Sequence, residues 1–147
     1  VEGTLDYVID TTLAVVKNNI KAPSIIVGTK RVETANGYPD KVFRELIANA
    51  CVHRDYSIIG SQIRLFMFED RLEMHSPGRL PNTLSIEKIK LGSAYSRNPV
   101  LLKFLIHTRY VDRLGRGIPM IYQEANKLGK PIKMEEFGEE FIVTLYF

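Results

Sequence analysis

Apolar residues at Leu5, Val8, Ile9, Leu13, Val16 and Ile20 recur at the helical period, so the first segment reads as an amphipathic helix. Thr4 stands where an N-cap is needed, and Pro23 stands where the helix should stop. Between residues 24 and 37, Ile25, Ile26, Val27 and Val32 with Gly28 and Asn36-Gly37 suggest one or two strands. The helical period returns from Pro39-Asp40 to about His53, with Val42, Phe43, Leu46, Ile47 and Ala50 on the core face. Two alternating runs, 63–68 and 71–75, flank Glu69-Asp70 and read as a β-hairpin. Residues 76–98 are rich in Pro, Gly, Ser and Asn and read as a long loop with a short helix at 85–90. Helices are expected at about 99–109, opened by Pro99, and at about 119–128, opened by Pro119 and stopped by Gly129. A second hairpin, 132–137 and 141–147 around Gly138, closes the chain. Two hairpins with four main helices imply an α+β fold. The expected form is a two-layer α/β sandwich whose mixed, mostly antiparallel sheet carries helices on one face.

Composition narrows the picture without changing it. The 147 residues fit one domain, 1–147, with 45% hydrophobic and 25% charged residues. No apolar run approaches the roughly 18 residues of a membrane span, so no membrane partner is expected. The single cysteine, Cys51, excludes an internal disulfide and multi-cysteine metal sites. His53, His75 and His107 show no zinc spacing. Val1 in place of Met and the lack of a signal-peptide pattern suggest a cytoplasmic domain excised from a longer protein. The net charge of +3 permits an anionic partner without demanding one, and it includes no basic run or reading helix for direct DNA contact.

Candidate chemistry concentrates in three places. Glu45 and Asn49 are four apart on the second helix and share a face that His53 continues. A carboxylate there could orient or deprotonate water, and an amide oxygen suits magnesium; a solvated polar helix edge is the plainer reading. Ser76-Pro77-Gly78 leaves the first hairpin, where glycine admits a close approach to the backbone, or simply makes a turn. Gly115-Arg116-Gly117-Ile118 precedes a helix whose free N–H groups could hold phosphate, although the segment is neither a Walker A loop nor a Rossmann fingerprint. Arg97, in Ser96-Arg97-Asn98-Pro99, fits a phosphate or backbone carbonyls equally well. His53-Arg54-Asp55 echoes a kinase catalytic loop, but no DFG triplet follows it, and His53 reads better as a packed, hydrogen-bonded residue.

Taken in order, Glu45-x-x-x-Asn49, a strand into Gly78, a loop and Gly115-x-Gly117 resemble the GHKL ATPases. The finer runs are Arg44 to Tyr56, Asp70 to Glu73, His75 to Pro81, Ser96 to Pro99 and Gly115 to Ile118. They resemble the GHKL-type C-terminal domain of transcriptional regulators and RecG-like helicase-related proteins, which commonly carry an AlbA-type or Schlafen-like domain upstream. The resemblance implies ATP bound with Mg²⁺ between the helix layer and a lid at 79–98. Glu45 would activate water and Asn49 would ligate the metal. Ser76, Gly78, Arg97, Gly115, Arg116 and Gly117 would bind the nucleotide. Ser76 and Leu80 depart from the GHKL pattern, which has an aspartate and a glycine at those places. The resemblance therefore implies a nucleotide-binding regulatory domain with at most slow hydrolysis, or a degenerate fold kept for docking or homodimerisation. DNA contact would belong to a domain outside this chain.

Overall fold

The computed structural model describes residues 1–20, 24–27, 30–33 and 37–147. Pro23, Gly28 and Asn36, expected to punctuate the early elements, lie outside the described residues. The elements run α1 (Leu5–Asn19), β1 (Ser24–Val27), β2 (Lys30–Glu33), α2 (Asp40–His53), β3 (Arg64–Met67), β4 (Arg71–Pro77), α3 (Ile86–Lys90), α4 (Pro99–His107), α5 (Gly117–Lys127), β5 (Ile132–Phe137) and β6 (Glu140–Tyr146). The protein is an α+β fold. β1 and β2 pair as a small hairpin, and the main sheet has the order β3-β4-β6-β5. Every pairing among the described strands is antiparallel, so the mixed sheet expected from the sequence is in fact uniform. No helix among the described residues is long and apolar enough to cross a membrane.

The second helix is the hub. Its five expected core residues are all buried, from Val42 at 0% to Ala50 at 6% exposure. Glu45, Ala48, Cys51 and Val52, outside that stripe, are buried as well. The reason is that α2 is enclosed: it packs on β4 of the sheet and also meets α1, α4 and α5. Ile9, Leu13 and Val16 of α1 join it from one side, and Leu72, Met74, Val143 and Leu145 of the sheet from the other. Burying so many apolar side chains, at roughly 1.5–3 kcal/mol each, makes α2 the element least free to move.

Two boundaries differ from the sequence expectation, each for a local reason, and the expected cap of α1 is present by position only. Thr4 sits at the N-cap of α1, but its side chain makes no cap hydrogen bond to the helix backbone. α4 ends at His107 rather than 109 because Arg109 takes φ 62°, and Tyr110 N–H donates to Leu105 O at 2.8 Å, a Schellman closure. α5 begins at Gly117, two residues before Pro119, so the proline lies within the first turn, where its missing N–H costs nothing. Ser85 caps α3 by accepting from Lys88 N–H at 3.3 Å.

Candidate functional site

Glu45, Asn49 and His53, one turn apart on α2, all line one cavity. Its floor is the sheet, through Met74, Ser76, Phe141 and Val143. Its roof is the segment after β4, through Leu80, Leu84 and Ile89, and its far wall is Gly115, Gly117 and Ile118 at the start of α5. The structure therefore brings together Glu45, Asn49, Ser76, Gly78, Arg97, Gly115 and Gly117 from four separated stretches of chain. Arg116 lies in an adjoining open depression, which Glu45, Gly115 and Gly117 also line, with Asp112 and Gln123. The inner cavity is small, about 110 Å³, and mostly apolar; the outer depression is wider, about 610 Å³, and more polar.

Glu45 is 8% exposed and forms no ion pair among the described residues. Burial pushes its carboxyl up to about 7; the Asn49 hydrogen bond opposes that, and the charge of Asp112 adds to it. Asn49 Nδ2 donates to Glu45 Oε1 at 2.7 Å and to the Glu45 carbonyl at 2.8 Å. The pair is locked, and Asn49 Oδ1 is left as an uncommitted acceptor. Gly117 is what admits the carboxylate: a Cβ there would stand 1.9 Å from Glu45 Oε1. Gly115 fits as tightly against the lid, since its Cβ would lie 2.3 Å from Gly92 O. At the start of α5, no side chain caps the helix, and the N–H groups of Gly117 and Ile118 make no hydrogen bond among the described residues. Such amides are an anion cradle.

At the other end of α2, a row of backbone carbonyls is met by side chains from elsewhere. Ser76 Oγ donates to Ala50 O at 3.0 Å, and Tyr56 OH to Cys51 O at 2.9 Å. Asn98 Nδ2 donates to Val52 O at 2.7 Å and to Arg54 O at 2.8 Å. Arg97 Nη1 donates to His53 O at 3.4 Å, while its Nη2 donates to Arg79 O at 2.6 Å. Of the two uses left open for Arg97 by its sequence, the carbonyl one is occupied. Arg97 also stands 3.7 Å from Asp55 and rests over Gly78 (φ 116°), where a Cβ would come within 2.1 Å of Nη1. In this arrangement the glycine makes room for the protein's own guanidinium. Burial first, and then the Arg97 charge, lower the His53 pKa.

Sequence reading missed Asn98, Tyr56 and Asp55 as site-building residues. Asn98 and Tyr56 meet backbone carbonyls, which carry no side-chain signal, and Asp55 meets Arg97 from 42 residues away as well as Ser57. The only trace was the clustering of Ser-Arg-Asn before Pro99. Among the described residues no group of three or more His, Cys, Asp or Glu side chains could hold a metal alone. Asn49 Oδ1 would fit a magnesium ion whose remaining ligands are phosphate oxygens and water.

An antiparallel sheet covered by helices, with an acid–amide pair on the central helix facing a glycine-flanked helix start, is an ATPase-type architecture. A family described as "Putative ATP-dependent DNA helicase recG C-terminal" matches residues 60–145, and the chain belongs to it. The match covers Ser76, Gly78, Arg97 and Gly115–Gly117, whereas Glu45 and Asn49 lie ahead of it. Among solved structures, the DIP2311 protein from Corynebacterium diphtheriae superposes with a TM-score of 0.82 and 26% identity over 94% of this chain. The chain spans 28% of that protein's length. The search of curated proteins gave no match.

Proposed function

We propose that this domain binds ATP with Mg²⁺ and acts as a regulatory nucleotide-binding module of a larger transcriptional regulator or helicase-related protein. The observation that carries the reading is the two-chambered site in which Glu45, Gly115 and Gly117 line both chambers. The inner chamber, apolar with Ser76 and Gly78 at one side, suits a purine base. The Ser76 proton is committed to Ala50 O, so its hydroxyl offers only lone pairs to a ligand amino group, as the GHKL aspartate does. The outer chamber, with the free amides of α5 and Arg116, suits phosphates. Asn49 Oδ1 would hold Mg²⁺, which neutralises phosphate charge when bound. Glu45, with a pKa near neutrality, is suited to taking a proton from water. Hydrolysis, if any, is expected to be slow without a partner.

Calorimetric titration with ATP and Mg²⁺ tests this. The expected affinity is tighter than about 1 mM. Asn49→Ala should weaken it about tenfold and remove its Mg²⁺ dependence, while Glu45→Gln should keep binding and lose turnover. Affinity weaker than about 1 mM that neither substitution changes would sink the proposal.

A second reading, a degenerate fold kept for docking or homodimerisation, is favoured by one observation. The 110 Å³ inner chamber falls below the roughly 300–1,000 Å³ of drug-sized ligand sites. That reading expects no thermal shift with ATP and a dimer in light scattering, and stabilisation by ATP of a monomer counts against it.

A further inference from the structure

α4 is apolar nearly all the way round. Of its nine residues only Lys103 and His107 are polar. Leu102 and Leu105 are buried in the core, yet Val100 is 79% exposed and Phe104 43%. At 100° per residue, Val100, Phe104 and His107 form one stripe opposite those two leucines. A helix apolar on both sides is ordinarily covered on both. Bonds at its ends fix where the stripe lies. Asn98, just before α4, donates to Val52 O and Arg54 O at the end of α2. Tyr110, just after it, donates to Asp10 of α1 at 2.6 Å and feels the charges of Asp6 and Arg44. α4 therefore runs back along α2 and finishes against α1, so its outer stripe adjoins the exposed side of α1. There Tyr7 is 56% exposed and, three residues before Asp10, lies on the same side of the helix. The two halves of this face differ in sign. Residues 1–16 hold Glu2, Asp6 and Asp10 and no Lys or Arg, whereas residues 99–109 hold Lys103, His107 and Arg109 and no carboxylate. Apart from the bond of Tyr110 to Asp10, these six groups form no ion pair among the described residues.

We propose that the α1–α4 face is where two copies of this chain associate. A two-fold axis beside Tyr110 lays α4 of each copy on α1 of the other. The cations of one copy then meet the carboxylates of its partner twice over, and Val100, Phe104 and Tyr7 close in the centre. The charges also set the direction of approach, because bringing like halves together would oppose cation to cation. They favour a second copy over a partner of single sign, which would leave half of the face against like charge. With three large side chains at its centre the interface is small, so the association is weak and reversible. It goes beyond both readings of the cavity, since Asp6, Tyr7, Asp10, Val100, Lys103 and Phe104 line neither chamber.

Sedimentation equilibrium of the chain tests it. A monomer–dimer equilibrium with a Kd of about 10–100 µM is expected. It should weaken several-fold between about 50 and 500 mM salt, because the facing charges are exposed at the rim. Val100→Glu puts an acid in the first turn of α4, where the helix dipole favours it, so the variant should keep the parent's melting temperature. It should weaken dimerisation at least about tenfold, by burying a charge at the centre of the face and opposing it to the partner's carboxylates. Lys103→Glu and Asp6→Lys should each weaken the dimer about three- to tenfold, and the two together should recover most of the parental affinity. That recovery is what damage to the fold would not produce. A chain still monomeric at about 1 mM, a dimer untouched by Val100→Glu, or charge variants whose losses simply add would overturn the proposal. Retention of a monomeric chain on phosphatidylcholine vesicles would overturn it too, in favour of a lipid surface.

Discussion

Glu45 is buried, with an amide for its partner and no cation, and that choice has a pH signature. Its carboxyl rises from an ordinary 4.5 to about 7, so the folded state holds a proton that the unfolded chain has released over that interval. Below pH 4.5 both states are protonated and the group costs nothing. Between pH 4.5 and about 7 the unfolded chain has ionised while the folded one has not, so stability falls across that window by about 3 kcal/mol in total and levels off above 7, where the folded protein buries a carboxylate. Glu45→Gln keeps the Asn49 contact and removes the titration. It should match the parent near pH 4.5 and exceed it by a few kcal/mol at pH 8 in urea unfolding. A parallel pH profile for parent and variant would show that the carboxyl is not strained. Gly117→Ala asks about the same carboxylate from the opposite side. Alanine is the better helix former by about 1 kcal/mol, yet its methyl would stand 1.9 Å from Glu45 Oε1. A net loss of about 1–3 kcal/mol is expected in thermal unfolding, because a packed side chain must leave its position. A gain would mean that Glu45 moves freely.

The end of α2 is held by residues far away in sequence, and its stability belongs to that assembly. A helix leaves its last carbonyls without internal partners. Here Ser76, Tyr56, Arg97 and Asn98 satisfy five in succession, from Ala50 to Arg54. The positive Arg97 also faces the negative end of the helix. Asn98→Ala would strand two part-buried carbonyls and should cost about 1–3 kcal/mol in urea unfolding at constant m-value. A loss under about 0.5 kcal/mol would show that water replaces the amide freely. This joint also shows how far the sequence could be read. The 3.6-residue stripe of α2 and the alternation in both hairpins were legible because burial repeats along one element. The enclosure of α2 by four neighbours was not, since α4, α5 and β4 are distant in the chain, and Glu45 is covered by Gly117 at the start of α5. The site was half legible. Glu45 and Asn49 share a face by helical spacing alone, whereas the hold of Asn98 on two carbonyls has no local pattern. The start of α5 was misjudged because a proline suits any position of a helix's first turn, and Arg116-Gly117 leaves no capping side chain to mark the true start.

At the scale of the whole molecule, the candidate site is closed by its own roof. Leu80, Leu84 and Ile89 pack onto the hydrophobic core, with Ile89 only 8% exposed. That leaves about 110 Å³ in the inner chamber, too little for a purine nucleotide in the present arrangement. If ATP enters, the roof must lift, and the anchors on either side limit what can move. Gly78 N–H is fixed to Glu139 O at 2.7 Å, and Arg97 and Asn98 are fixed to α2. The segment that would lift is therefore 79–95, hinged at the left-handed Gly78 and held at its far end before Arg97, and lifting it breaks the bonds of Arg79 O to Arg97 and of Leu80 N–H to Glu136 Oε1, each at 2.6 Å. It is lightly stabilised: α3 has five residues, and the roof's contribution to the core comes from four aliphatic side chains, Leu80, Leu84, Ile86 and Ile89. Hydrogen exchange should reveal this. Amides of 79–95 should open at lower free energy than those of α2, and saturating ATP with Mg²⁺ should slow them while leaving 96–98 unchanged. Ile89→Ala should speed exchange in the same segment and accelerate nucleotide association, since the closed roof is what an entering ligand must displace. Equal protection across 79–95 and α2, unaltered by ligand, would mean that the roof is part of the permanent core. The inner chamber would then be a packing feature, and only the outer depression could receive an anion.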